Sequence, residues 1–196
     1  MDPEVWGPSL WNWLHDMAKR WDNVPCTTDT EAMVDLFVAL QYVLPCYTCR
    51  EHYAAMVKQY IPHIMASTSL QMIVYNMHDQ VNQRLHKTSP PLHTVLYGPM
   101  HPDAADDALC DALFFINQHY QHTDVAKKCT RHRAFIDAVG QVYKHMGYEA
   151  MADRMSMACA ERSGKALVRR ASGSGRRRRQ TKSGGQRRRR RRTGRR

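Results

Sequence analysis

Two cysteines separated by two residues are the pair in this chain best suited to redox chemistry. Cys46 and Cys49 follow Pro45, and a tyrosine and a threonine lie between them. At the first turn of a helix, free backbone N–H groups and the helix dipole stabilise a thiolate, and Arg50 adds positive charge beside the pair. This pattern predicts a reactive dithiol that can close into a small disulfide ring.

The spacing of the two cysteines also fits two other interpretations. A zinc site would need two further ligands; the chain has no second Cys-x-x-Cys, although its 11 histidines could supply them. A thioredoxin-like active site would follow a strand, whereas this pair follows an amphipathic helical segment. The pair could also have no chemical role. Spacing alone therefore leaves a redox pair, a zinc site and an unreactive pair open.

The elements that must position the pair are predicted to be helices, because apolar residues recur at spacings of three and four. In the first segment the stripe is Trp6, Leu10, Trp13 and Met17, after an acidic, proline-containing start. Prolines at positions 45 and 62 are predicted to end helices. We predict helices over residues 5–21, 29–44, 46–60, 69–87, 103–121, 124–147 and 148–162, and a loop over 92–102.

No segment shows the alternation of a strand, so the predicted fold class is all-α. Residues 1–92 are predicted to form a four-helix bundle, with a helical C-terminal extension over 93–163. Residues 164–196 are a basic tail, predicted to be disordered from its composition. The tail from residue 165 onward holds 16 of the 29 Lys and Arg residues and no acid, so the remaining 13 basic residues face 18 acidic ones. The folded part is therefore mildly acidic, and the basic character belongs to the tail.

The chain has no sequence feature that directs it into or across a membrane. No run approaches the roughly 18–20 apolar residues of a membrane span, and the N-terminus lacks the pattern of a signal peptide. We therefore expect no membrane association and a location in the cytoplasm or nucleus. Cysteines in such compartments are more often catalytic or metal-binding than structural.

Three fragments, in this order, resemble the Erv/ALR family of FAD-dependent sulfhydryl oxidases, most closely the compact forms of large DNA viruses. The family patterns are WGxxxWxxLH, YPCxxCxxHF and HNxVNxxLxK. The corresponding fragments here are Trp6-Gly7-Pro-Ser-Leu-Trp11-Asn-Trp-Leu14-His15, Leu44-Pro45-Cys46-Tyr-Thr-Cys49-Arg-Glu-His52-Tyr53 and His78-Asp79-Gln-Val81-Asn82-Gln-Arg84-Leu85-His-Lys87.

The resemblance implies that FAD lies within the bundle, with Cys46 as the outer catalytic thiol and Cys49 as the inner thiol against the flavin. Electrons from a dithiol protein substrate, for example a thioredoxin-like protein, would pass to FAD and then to O2, giving H2O2. A homodimer formed through the first two helices is also implied. The implied cofactor-binding residues are Gly7, Trp11, His15, Cys49, His52, Tyr53, His78, Val81, Asn82, Arg84 and Lys87. No metal is expected.

The chain departs from the family patterns in several places. Leu44 replaces an aromatic residue, and Asp79 replaces an asparagine, where an acid could repel the cofactor pyrophosphate or bond a ribose hydroxyl. A structural disulfide that many members carry near the fourth helix has no counterpart. A shuttle pair of cysteines is not obvious, and the remaining candidates are Cys26, Cys110, Cys129 and Cys159.

The basic tail supports an alternative class of function. Its arginine runs are strong electrostatic ligands for phosphates, and the lack of aromatic residues among them argues against base-specific reading. The alternative is a nucleic-acid-binding or virion structural protein whose cysteine pair binds zinc or is vestigial. A third interpretation keeps the fold and FAD without turnover.

Overall fold

The computed structural model describes residues 2–24, 29–66, 68–99, 101–119, 125–150 and 152–153. These residues form helices and their connections, and no strand occurs among them. The helices are α1 (Pro3–Asn23), α2 (Thr30–Val43), α3 (Tyr47–Met65), α4 (Leu70–Arg84), α5 (Leu92–Tyr97), α6 (Pro102–His119) and α7 (Val125–His145). The all-α prediction is confirmed.

Helix α1 starts as its sequence indicates. The Asp2 side chain accepts a hydrogen bond from the Glu4 backbone N–H at 2.9 Å, and Pro3 occupies the first turn, where its missing N–H costs nothing. The predicted stripe from Trp6 to Met17 is buried. Asp16 and Arg20 are buried as well, because α1 lies between α4 on one side and α6 on the other.

Helices α1 and α4 run antiparallel and are tied at both ends. At one end the Asp22 carboxylate accepts hydrogen bonds from the backbone N–H groups of Leu70 and Gln71 at 2.9 and 3.0 Å, which compensates the free donors at the start of α4. At the other end Lys87 Nζ lies 3.0 Å from Glu4 Oε1. These contacts set the register in which the cavity residues of the two helices face each other.

The sequence-based prediction and the structure differ most at two places. Helix α3 does not end before Pro62 but continues to Met65, and the Ala66 N–H bonds the Pro62 carbonyl at 3.0 Å. A proline removes one donor, and near the end of a helix that loss does not stop the last turn. The predicted loop 92–102 contains α5 (Leu92–Tyr97). The prolines and glycine of that segment stand at its flanks, so six residues between them are free to form helix.

The C-terminal extension packs against the bundle. Helix α6 packs along α1 and α7 along α2, and their apolar residues join one continuous core with those of the first four helices. The buried residues that the extension contributes are Ala105, Leu109, Cys110, Ala112, Leu113, Ile116, Phe135, Val139, Val142, Tyr143, Met146 and Ala152. One side of α1 and of α2 is therefore covered by the chain's own helices, so a second copy cannot pack there.

A buried polar network joins α1 to α6 and α7; we refer to it as the polar junction. Arg20 donates to Asp16 at 2.6 Å and to Asp106 at 2.9 Å. Tyr143 donates to Asp106 and accepts from Trp13 Nε1 at 3.1 Å. Burial raises the pKa of the Tyr143 hydroxyl, which keeps it protonated as a donor. The network fixes how the extension docks on α1.

None of the helices in the described part of the chain is long and apolar enough to cross a bilayer. The predicted last helix, 148–162, lies mostly outside the described residues, as do the tail 164–196, Cys26 and Cys159. The backbone at Cys129 belongs to α7, but its side chain is not described.

Candidate active site

A cavity of about 570 Å³ opens inside the bundle beside the cysteine pair. Residues of α1, α3 and α4 form most of its wall, and two leucines at the end of α2 complete it. Its apolar lining includes Leu10, Leu14, Leu40, Leu44 and Met56. Its volume lies in the range of about 300–1,000 Å³ that is common for ligand and cofactor pockets.

The predicted reactive pair forms a disulfide in the cavity wall. Cys46 and Cys49 are bonded to each other, with their Cα atoms 5.1 Å apart, and both are half-buried. Cys46 is the N-cap of α3, and its Sγ accepts a hydrogen bond from the Cys49 backbone N–H at 3.1 Å. The same donor would stabilise a Cys46 thiolate after reduction.

Arg50 holds the segment that presents the disulfide. Its Nη1 donates to the Leu44 carbonyl at 3.0 Å, across the turn at Pro45. Its guanidinium also lies 5.8 Å from the ring centre of Tyr47, a largely exposed residue between the cysteines. The positive charge that the sequence predicted near the pair is therefore present and ordered by two contacts.

The structure brings together ten of the eleven residues predicted to bind the cofactor. Helix α1 contributes two of them, α3 three and the α4 region five. They are Gly7, Trp11, Cys49, His52, Tyr53, His78, Val81, Asn82, Arg84 and Lys87. Residues four apart on α1 and on α4 share the face that lines the cavity, as their spacing indicated.

The eleventh residue, His15, lies behind the wall. The ring of His78 stacks on Trp11 with centroids 4.2 Å apart, and its Nδ1 lies 2.9 Å from His15 Nε2. Burial, with repulsion from His78 and Lys19, lowers the pKa of His15 to about 4. Burial also lowers the pKa of His78 to about 4, against the attraction of Asp79. At neutral pH the pair is uncharged, and the ring N–H of one histidine donates a hydrogen bond to the bare ring nitrogen of the other.

Two buried donors in the cavity wall have no partner among the described residues. They are Trp6 Nε1 and the Tyr53 hydroxyl, and both residues are only 6% exposed. Burial raises the pKa of Tyr53 well above its ordinary value, so its hydroxyl remains a neutral donor. Buried polar groups are normally hydrogen-bonded, so these two atoms indicate a ligand that offers acceptors.

Trp6 was absent from the predicted set of cofactor-binding residues. The sequence contains the signal for it, because Trp6 is the first residue of the first motif and precedes Gly7 directly. Apolar stripe positions are most often core, and Trp6 belongs to both the core and the cavity wall.

Asp79 does not line the cavity, although its position beside His78 predicted contact with the cofactor. Its Oδ1 accepts a hydrogen bond from Ser89 Oγ at 2.6 Å, and its Oδ2 accepts from Gln83 Nε2 at 2.6 Å. Ser89 Oγ in turn lies 3.2 Å from Asn82 Nδ2. The acid therefore braces the loop after α4, and neither repulsion of a pyrophosphate nor a bond to a ribose follows from its placement.

Helix α4 ends in a turn that returns the chain to the cavity. The Lys87 N–H bonds the Asn82 carbonyl at 2.8 Å and the His86 N–H bonds the Gln83 carbonyl at 3.1 Å, with His86 at φ 55°. This is the arrangement of a Schellman motif, in which one residue adopts the left-handed conformation. Lys87 thereby reaches the cavity wall, where Arg84 also lies.

The remaining described cysteine, Cys110, is buried in α6 and disulfide-bonded. Its partner lies outside the described side chains, so the predictions about a shuttle role of Cys26, Cys110, Cys129 and Cys159 stay predictions. Within the described ranges, no three His, Cys, Asp or Glu side chains are grouped as metal ligands would be.

Comparison with known proteins gives a consistent picture of this region. Residues 8–97 match the Erv1 / Alr family. A FAD-linked sulfhydryl oxidase by name, from Invertebrate iridescent virus 3, is 27% identical over 97 residues, which cover 48% of this chain and 66% of the relative. A second, from Invertebrate iridescent virus 6, is 29% identical over 98 residues, covering 46% of this chain and 88% of the relative.

The match thus spans slightly less than two thirds of the first relative, at 66% of its length. No solved structure gives a significant match to the chain. The matched segment contains the cysteine pair, α2 to α5 and most of α1, and therefore nearly all of the cavity wall. The similarity to the Erv1 / Alr family thus covers the region that holds the cavity, a little less than half of the chain.

Proposed function

We propose that the chain is a FAD-linked sulfhydryl oxidase that forms disulfides in protein substrates and passes the electrons to O2. The observation that carries the proposal is a disulfide built into the wall of a cavity that also contains two unpartnered buried donors. The two viral relatives, whose names describe the same activity, support it.

The residues around the cavity fit FAD. Trp6 and Tyr53 offer donors, which suit the carbonyl oxygens and ring nitrogens of a flavin. The leucines and Met56 suit the apolar faces of the ring, and the cations Arg84 and Lys87 suit phosphates. When bound, FAD would supply the two-electron acceptor for the reduced cysteines and the route of those electrons to oxygen, which would become hydrogen peroxide.

The protein's own part in the reaction begins with disulfide exchange. A substrate thiolate attacks Cys46 Sγ, the Cys46–Cys49 bond breaks, and Cys49 leaves as a thiolate. The second substrate thiol, after losing its proton, attacks the substrate sulfur of the mixed disulfide and releases Cys46. The substrate dithiol has then become a disulfide, and the enzyme pair holds its two electrons.

The geometry supports these roles for the two sulfurs. Cys46 Sγ sits at the N-terminus of α3, where the Cys49 N–H and the helix dipole favour its thiolate. Tyr47 beside it is 68% exposed, so a protein substrate can approach this end of the disulfide. Both cysteines line the cavity. The disulfide bond between them therefore connects thiol exchange at the surface with the cofactor site.

The partners and location follow from the proposal. We infer a dithiol protein substrate, for example a thioredoxin-like protein, and a role in a large DNA virus, in the cytoplasm or nucleus of the host or in the virion. The Arg-rich tail would add nonspecific affinity for nucleic acid. If the chain forms a homodimer, it must use a surface other than the sides of α1 and α2 that α6 and α7 cover.

The test is the visible spectrum of the purified protein and its oxygen consumption with dithiothreitol. We expect a flavin band near roughly 450 nm that bleaches with dithiol and recovers in air. Cys49→Ser should keep the band and abolish oxygen uptake, whereas Thr68→Ala, at an exposed position outside the cavity wall, should retain both. A colourless protein that FAD does not reconstitute would refute the oxidase and favour the nucleic-acid-binding alternative.

A further inference from the structure

The side-chain amide of Asn82 is held from outside the cavity by a chain of two hydrogen bonds. Asn82 lines the cavity and is only 7% exposed. Its Nδ2 lies 3.2 Å from Ser89 Oγ, which lies 2.6 Å from Asp79 Oδ1. Neither Asp79 nor Ser89 is part of the cavity wall.

The chemistry of these three groups fixes the direction of each bond. A carboxylate has no proton to give, so the single hydroxyl proton of Ser89 must be donated to Asp79. The Ser89 oxygen can then only accept, and the group that faces it must be a donor. On Asn82 that donor is Nδ2, because the opposite orientation would direct the carbonyl oxygen at the lone pairs of Ser89.

We propose that Asp79 and Ser89 are positioning residues that turn the Asn82 carbonyl Oδ1 toward the cavity, where it selects a ligand group that donates a hydrogen bond. This inference rests on the proposed FAD site and adds the polarity of one contact within it. The two hydrogen bonds engage only the amide nitrogen of Asn82, so Oδ1 is the amide atom left to meet a ligand in the cavity.

The asymmetry of the cavity wall follows from this orientation. Trp6 and Tyr53 present donors without partners, and Asn82 presents an acceptor. Both halves of FAD carry donors, as an imide N–H or hydroxyls on the flavin side and an amino group or hydroxyls on the adenosine side. Acceptor-only groups such as phosphate oxygens are excluded from the position next to Asn82.

The test is the FAD affinity of the apoprotein, measured by flavin fluorescence in a titration. Ser89→Ala frees the amide to rotate and should raise the FAD Kd about three- to tenfold, the worth of one net hydrogen bond. Asp79→Ala should raise it by a similar factor. The double variant should bind no more weakly than either single variant, because both substitutions break the same chain.

Gln83→Ala is the matched control. Gln83 also donates to Asp79, at 2.6 Å, but to Oδ2 and on the exposed side of α4. Its removal should change the FAD Kd less than twofold. Competition titrations with FMN and with ADP then show which half of FAD donates the hydrogen bond to Asn82. Ser89→Ala should weaken the binding of only the compound that contains that half. Unchanged FAD affinity in Ser89→Ala, or an equal loss in Gln83→Ala, would overturn the inference.

A second measurement needs no cofactor. In the NMR spectrum of the apoprotein, the Asn82 side-chain amide protons should show a nuclear Overhauser contact to the Ser89 β-protons, and Asp79→Ala should weaken it. Absence of that contact in the parent protein overturns the orientation even if FAD binds. A parent protein that shows the contact but never binds FAD supports the orientation and refutes the proposed function.

Discussion

The polar junction and the cavity wall are both buried and both polar, yet their hydrogen bonds are arranged in opposite ways. At the junction Arg20, Asp16, Asp106 and Tyr143 bond one another, and every contact runs within the chain. In the cavity wall Trp6 Nε1 and the Tyr53 hydroxyl have no partner among the described residues.

This difference separates structure from function. A buried polar group costs free energy unless it is paired, so a network that is complete within the chain stabilises a fold, and an incomplete one indicates a ligand. The junction therefore serves to dock α6 and α7 on α1. The cavity wall gives up stability in the apoprotein, and a cofactor restores it.

The largest effect is expected from removing Arg20, the cation of the polar junction. Arg20→Met leaves two buried carboxylates without a counter-charge, and we expect a loss of about 3–5 kcal/mol in the free energy of unfolding. Urea unfolding monitored by circular dichroism measures it. FAD should add the same increment of stability to parent and variant.

The control is Arg133→Met, at an exposed position of α7, which should change stability by less than about 0.5 kcal/mol. Equal effects of the two substitutions would mean that the junction does not hold the extension in place. A variant that keeps its stability but loses FAD would contradict the division between the two regions.

A sharper test applies one chemical change to both regions. Tyr143→Phe removes a paired hydroxyl and leaves Trp13 and Asp106 without it, so unfolding free energy should fall by about 1–3 kcal/mol while FAD affinity stays within twofold. Tyr53→Phe removes an unpaired buried hydroxyl, so the apoprotein should lose no stability and can gain some. Its FAD Kd should rise about three- to tenfold.

The midpoint of thermal unfolding, measured with and without FAD, compares the two variants in one experiment. The comparison predicts a crossed result, in which Tyr143→Phe lowers both midpoints and Tyr53→Phe lowers only the midpoint with FAD. Parallel losses in the two variants would show that Tyr53 is a structural residue like Tyr143.

The two regions also differ in how far the sequence predicts them. The cavity is made of residues that are three or four apart on single helices, such as Gly7 with Trp11 and His78 with Asn82, so local periodicity and motif order predict most of its wall. The junction joins Arg20 to Asp106 and Trp13 to Tyr143, which are 86 and 130 positions apart. No local pattern predicts such pairs, and Asp16 with Arg20 resembles an ordinary exposed ion pair.

The departures from prediction have different origins. The boundary at Pro62 and the short helix α5 depend on where the helix breakers stand, because Pro62 lies within the last turn of α3 and Pro91 and Gly98 flank α5. Asp79 replaces an asparagine of the family pattern, and the sequence left open whether an acid there repels the cofactor pyrophosphate or bonds a ribose hydroxyl. Its contact with Ser89 lies ten residues away, across a turn in which His86 takes the left-handed conformation.

The smallest predicted effect is on the pH dependence of stability, and it comes from the His15–His78 pair. The two rings share one hydrogen bond, and His15 Nδ1 has no partner among the described residues. Both pKa values are lowered from an ordinary 6.5 to about 4 by burial. As the pH falls below 6.5, these histidines bind protons in the unfolded chain but not yet in the folded chain. The stability that they contribute is therefore fully present above about pH 6.5 and is lost between about pH 6.5 and 4.

We expect the melting temperature of the apoprotein to fall by roughly 5 °C more between pH 7 and pH 5 in the parent than in His15→Gln. The control is His63→Gln, because His63 is exposed on α3 and its replacement should leave the parental pH dependence unchanged. Exposed carboxylates are common to all three proteins and cancel in the comparison. If His15→Gln keeps the full pH dependence, the His15–His78 pair is not the buried group that titrates in this range. The hydrogen bonds behind the cavity wall would then be as complete as those of the polar junction.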